Sequence, residues 1–274
     1  MQGSIAQALA LTIYANDVLR GTPRDRFWPS ATAFVFCKNV RFLDLGGQPN
    51  APTEILFAQD PVQWVARLKR EGAVGFHVHY LSSNGPGISD RMSVAFVGGG
   101  GQWLIESARH DVSDLWDARW RLGNRDDPEK NIWDVAYGRV GKNSARVQPT
   151  TRGLAALRHE LNDVLSKIEA FASRHGLDVF AKSFRDGIDR LRSDAPLAGV
   201  YHSDLAEANS LALDAQQILG AAQAAWVFGG MGSWNDLGFE GPEQEEYERL
   251  SGQLFLLLNQ SICEAANTGF PEGE

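Results

Sequence analysis

Apolar residues in the second half of the chain recur at alternating spacings of three and four, the pattern of amphipathic helices. Leu154, Leu157, Leu161, Val164, Ile168 and Phe171 keep that spacing through six positions, and Gly176 stands as the stop. Phe180, Phe184, Ile188 and Leu191 predict a shorter helix, ended by residues 193–196. Leu205, Ala208, Ala212, Ala215, Leu219, Ala222 and Trp226 predict a long one from Ser203 or Asp204, where Asp204 and Glu207 have the form of a capping box. Its alanines imply close approach of a neighbour. That neighbour is the last helix, opened by Gly241-Pro242, with Glu243, Glu245 and Glu246 where the helix dipole favours negative charge. Tyr247, Leu250, Leu254 and Leu257 make its stripe, and Phe255, Leu256, Leu258 and Ile262 make it apolar nearly all round, as expected of a central helix.

The first half reads differently. Residues 4–20 predict a helix with apolar positions on two sides and Gly21 to close it. Residues 21–30 form a loop anchored by Phe27-Trp28. Residues 32–45 are strand-like, with a break near Lys38-Asn39, and a turn at Gly46 to Pro49 precedes a short strand at 54–58. Asp60-Pro61 caps a helix reaching Glu71, with Trp64, Val65 and Leu68 inward. Strand-like runs at 74–81, 91–97 and 102–107 are separated by Ser83-Asn84-Gly85-Pro86 and by four glycines, 98–101, links short enough for antiparallel neighbours. Residues 111–121 predict a helix bearing Trp116 and Trp120, and 132–140 a last strand. The expected fold is α+β: an antiparallel sheet lobe with flanking helices, residues 1–147, followed by an all-helical lobe of about four helices, residues 148–274. The polar stretch 141–151 marks the division.

Charge and cysteine usage narrow the classes of function. The net charge is −8, and it is uneven: residues 1–150 hold 17 Lys and Arg against 15 Asp and Glu, residues 151–274 hold 9 against 19. An acidic helical part argues against nucleic acid or an anionic membrane as partner. No run approaches the ~20 apolar residues of a membrane span, and the first positive side chain is Arg20, so no leader is expected. Cys37 and Cys263 sit in apolar surroundings and read as buried free thiols, which places the chain in the cytoplasm.

Candidate chemistry is sparse. On a strand, His77 and His79 point to the same face about 6–7 Å apart along the backbone, and imidazoles so placed can share a metal. Metal-binding β-barrels such as the cupins follow a His-x-His of this kind with a glutamate. Here Ser82, Ser83 and Asn84 stand in its place, so the similarity ends with the dipeptide pattern. Glu106 and His110 could add ligands if the strands are in register. The competing reading puts both histidines on a solvent-facing side, with Phe76, Val78 and Tyr80 in the core. The glycine-dense connector 228–241 offers Ser233, Trp234, Asn235 and Asp236 to a small ligand, or else packs down as an Ω-like loop. Its Gly-Gly-Met-Gly lacks the Gly-Lys-Ser/Thr ending of a phosphate loop. His159-Glu160 and His202-Asp204 are local acid–base pairs best explained as a surface residue and a helix start. Trp116, Trp120 and Trp133, near Arg109, Arg119, Arg121 and Arg125, form either the thick part of a core or a contact surface. No motif implies an organic cofactor. Two functions follow: a protein-binding or self-associating module, expected to dimerise through its helical lobe, or an enzyme or small-ligand binder with a site between the sheet and the connector that uses His77 and His79.

Overall fold

The computed structural model describes residues 1–48, 51–83, 88–147 and 152–271. In chain order the elements are α1 (Gly3–Arg20), β1 (Cys37–Gln48), β2 (Ala51–Ala58), α2 (Pro61–Arg70), β3 (Gly75–Leu81), α3 (Asp90–Ser93), β4 (Gln102–Ala108), β5 (Val112–Leu122) and β6 (Trp133–Ala145). Then follow α4 (Leu154–Arg174), α5 (Asp178–Arg190), α6 (Leu213–Ala224) and α7 (Gly241–Asn267). The fold is α+β, with one six-stranded sheet in the order β2-β1-β6-β5-β4-β3. No described helix is long and apolar enough to cross a membrane.

The sheet is mixed, which corrects the expectation of a purely antiparallel one. A β1–β2 hairpin and a β3–β4–β5–β6 meander are each antiparallel, but they join through a parallel β1–β6 pair. Turn residues encode the local hairpins. The β1–β6 pairing is made across about a hundred residues, and no local signal reports its direction.

Three further expectations are overturned. Residues 112–122 form β5, not a helix: Trp116 and Trp120 are four apart, as on a helix, but they also alternate with Asp117 and Arg119, and pairing with β4 and β6 decides for the strand. Residues 91–97 are not a strand. Ser89 caps the single turn of α3 and accepts from Met92 N, and Gly98, Gly100 and Gly101 adopt φ near +80° to +87°, so the chain folds back on itself there. Finally, α6 begins at Leu213, not near Ser203. The Asp204 carboxylate does not cap a helix; it accepts from the backbone and side chain of Thr32, far away in sequence. The turns at 46–49 and 83–86 and the division at 141–151 fall partly outside the described residues, although 141–145 belong to β6.

The helices at 3–20, 61–70, 154–174, 178–190 and 241–267 stand where the periodicity puts them. Asp60 accepts from Gln63 N at the start of α2, and Gly21 closes α1 at φ +80°. Residues Ile5 to Asp17 are all buried, so α1 lies between the sheet and the C-terminal helices. Burying a polar group without a partner costs a few kcal/mol, and the polar residues of α1 have partners. Gln7 donates to Ala33 O and accepts from Tyr137, while Asp17 accepts from Arg20, Arg24 and Ser210. Between α1 and α2 on one side and the sheet on the other lies an aromatic core of Phe42, Trp64, Trp116 and Tyr137. α7 packs on α1, α4, α6 and β3, which cover most of its apolar residues, although Leu256 stays 47% exposed.

Helix side chains finish the outer edge of β3. Asn16 of α1 donates to Phe76 O (3.0 Å) and accepts from Phe76 N (2.8 Å). Asn267 of α7 does the same for Val78, at 3.0 and 2.8 Å. One turn back on α7, the Cys263 thiol meets the backbone of Tyr80, and burial pushes that thiol up to about 12. Two helices thus take the place of a seventh strand.

Candidate metal centre

Alternation along β3 sends Phe76 and Val78 into the core, both fully buried, and His77 and His79 to the opposite face. In the β3–β4 register His77 lies directly across from Glu106, and side chains opposite each other on one face are close neighbours. His79 Nε2 is 2.8 Å from Glu106 Oε2, and His77 Nδ1 is 3.5 Å from the same oxygen. The three nearest ligand atoms all lie within 4.8 Å of one another. Two imidazoles therefore converge on one carboxylate oxygen.

This face is not solvent-facing, which corrects the competing reading of the two histidines. Glu106 is 0% exposed and His77 is buried as well. A carboxylate taken out of water must find partners. Burial alone would push its pKa up, but His77 and His79 beside it hold it well below the usual carboxylate range. Its second oxygen accepts from Val147 N at 3.1 Å, which fixes the rotation of the group and leaves Oε2 to the imidazoles. His77 Nδ1 makes no hydrogen bond among the described residues.

The far end of the chain walls the site. Phe270 stacks on His77, with ring centroids 4.2 Å apart and planes 10° from parallel. Its ring fills the space where a Cβ on residue 75 would lie, 2.2 Å away, so Gly75 allows the stack. The Asn267 clamp on Val78 brings Phe270 to this position, and the Arg146 guanidinium lies over the Phe270 ring at 5.5 Å.

For an ion held tetrahedrally by nitrogen and oxygen at ~2.0–2.1 Å, ligand atoms would stand about 3.3 Å apart. The observed 2.8 and 3.5 Å bracket that spacing. Small side-chain shifts would open room for an ion, with Nδ1 of His77, Nε2 of His79 and one oxygen of Glu106 as donors.

The other candidates are not brought here. His110, held in reserve as a ligand, has a side chain 92% exposed and pairs with Asp111. Ser82 and Ser83 bond Asp90, and Asn84 lies outside the described residues. The connector is packed down near the opposite end of α7. Trp234 is fully buried among Phe180, Phe184 and Tyr247 and donates to Ser251. Asn235 accepts from the Arg91 guanidinium and donates to Arg91 O. Ser233 donates to Gly229 O, and Asp236 accepts from Gly232 N. Trp116 is a core residue donating to Ser107, whereas Trp120 and Trp133 meet at a small cavity. His159 is exposed. His202 is buried against Thr32, and that burial lowers its pKa to about 4.

Sequence reasoning flagged Glu106 only on condition of register, and it missed Phe270 and Val147 altogether. Their roles come from strand pairing and from a helix terminus about 190 residues away, neither of which leaves a local mark. Comparison of the chain with family models, with curated proteins and with solved structures gives no match.

Proposed function

We propose that this protein binds a divalent transition-metal ion through His77, His79 and Glu106. The observation that carries the reading is a fully buried carboxylate with two imidazole nitrogens converging on one of its oxygens, one of them without a hydrogen bond among the described residues. Two neutral imidazoles and one carboxylate suit borderline ions such as Zn²⁺, Fe²⁺ or Mn²⁺. Three protein donors leave at least one coordination position for water or a substrate, as in catalytic rather than closed structural sites. The reading of a self-associating helical module has less support, because its basis was apolar faces on α6 and α7 that need cover, and the chain itself covers most of them, leaving Leu213 and Leu256 exposed.

The competing explanation is a buried ionic pair in which a protonated histidine neutralises Glu106 with no ion present. Titrating metal-stripped protein with Zn²⁺ by calorimetry, and with Co²⁺ by visible absorption, separates the two. About one ion per chain is expected, with a rise in melting temperature, since binding to the folded state alone stabilises it. His79→Ala and the nearly isosteric Glu106→Gln should each abolish it. Wild-type protein that takes up neither ion refutes the reading.

A further inference from the structure

A cavity elsewhere in the molecule lies apart from the proposed metal centre. On the helix-facing side of the sheet, Trp103, Trp120 and Trp133 line a cavity of about 180 Å³ whose opposite wall is the first turn of α1, including Ser4 and Ile5. Its lip is the segment after α3, where Phe96 and Val97 are 67% and 64% exposed. The α1 wall is tied to the connector by Gln2, which donates to Phe228 O.

Three features bear on what fits there. The first is the open end of α1. Its N-cap is Gln2, whose side chain makes no capping bond, and no acidic residue stands in the first turn. The first N–H bonded back within the chain is that of Ala6, to Gln2 O. The leading N–H groups of an 18-residue helix thus meet the cavity with the positive end of the helix dipole behind them. The second is a set of polar atoms among the lining residues that lack partners. Trp103 is only 9% exposed, yet its Nε1 has no hydrogen-bond partner among the described residues, and the same holds for Trp120 Nε1. Buried donors without partners are rare enough to need an explanation. The third is shape and lining. Indole faces favour a flat ring, and a dry cavity of ~150 Å³ in another protein accepts benzene. This one has room for a single ring and one small substituent.

We infer that this cavity binds a small one-ring carboxylate, with the ring between the three tryptophans and the carboxylate on the N–H groups at the start of α1.

Benzoate and benzyl alcohol share the ring and differ in charge, so they make a matched pair of probes. Full-length protein is titrated with each, read by tryptophan fluorescence and calorimetry. Saturable benzoate binding is expected, tighter than benzyl alcohol by about 5- to 10-fold, the factor a helix terminus supplies at a partly buried site. Ser4→Asp places a carboxylate at the first turn of α1, where it suits the helix, so the variant folds. It should weaken benzoate about tenfold and leave benzyl alcohol within about a factor of two. His79→Ala protein should bind benzoate as wild type does, which separates this cavity from a metal-bound carboxylate. No saturable binding of benzoate, equal affinity for the two probes, a Ser4→Asp variant that binds benzoate unchanged, or loss of benzoate binding in His79→Ala would each overturn the inference.

Discussion

At one edge of the sheet, the outward backbone groups of Phe76 and Val78 are taken up by the carboxamides of Asn16 and Asn267. At the other edge, Thr53, Glu54, Ile55 and Leu56 of β2 are all exposed, Ile55 at 65% and Leu56 at 47%. A carboxamide carries one acceptor and donors in the geometry of a peptide group, so asparagine on a neighbouring helix can substitute for a strand. The difference shows where rigidity was built in. The sealed edge carries the His77–Glu106 pair and is held by two helices distant in sequence. The open edge carries no candidate site, and exposed edges of this kind recruit other strands.

Asn16→Leu should break the contrast most strongly. It leaves the N–H and C=O of Phe76 buried without partners, at about 1–3 kcal/mol each, so chemical denaturation should show a loss of about 2–5 kcal/mol. A loss below about 1 kcal/mol would mean that water reaches this edge. Gly75→Ala comes next. Its Cβ would meet the Phe270 ring, and overpacking costs about 1–3 kcal/mol. Adding Phe270→Ala should return part of that loss, and a double-mutant cycle without coupling would deny that the contact matters.

Asn267→Leu acts on a half-buried group and should cost about 1–2 kcal/mol. Because it frees the turn that carries Phe270, Zn²⁺ affinity should fall about tenfold or more, in the range seen for groups that orient ligands. Equal Zn²⁺ affinity in the variant would separate the clamp from the centre. At the open edge, Ile55→Lys should change stability by no more than about 0.5 kcal/mol. Light scattering of concentrated wild-type and variant protein would then show whether that edge recruits a second chain, since an edge lysine discourages pairing.

Much of the helical part was legible because its signals are local. The three-four stripe from Leu157 to Phe171, the Asp60 cap and Gly21 each act within a few residues. What misled were residues whose local chemistry fits two structures. Asp204 has the look of a helix cap, yet Thr32 claims its carboxylate. Trp116 and Trp120 fit either period, and the flanking strands decide between them. The aromatic connector resembled a pocket because its rings are core: Trp234 has no exposed surface. At the candidate centre, the His-x-His pattern is visible in the sequence, but its third member is set by strand register and its wall by the end of α7.

The deep burial of α1 also sets a problem for the chain during synthesis. Its polar anchors and much of its apolar cover come from elsewhere: Arg20 reaches Ser210 and Gly269, Arg24 reaches Asp204 and Leu205, and α7 lies against it. At ~5–20 residues per second, roughly 10–50 seconds pass between the emergence of α1 and that of the last helix. Throughout that interval a helix apolar on most sides is without its final cover. Versions of the chain truncated before α7 should therefore aggregate rather than fold, which light scattering checks. The same topology makes the docking of α7 the event that gives α1 its final cover.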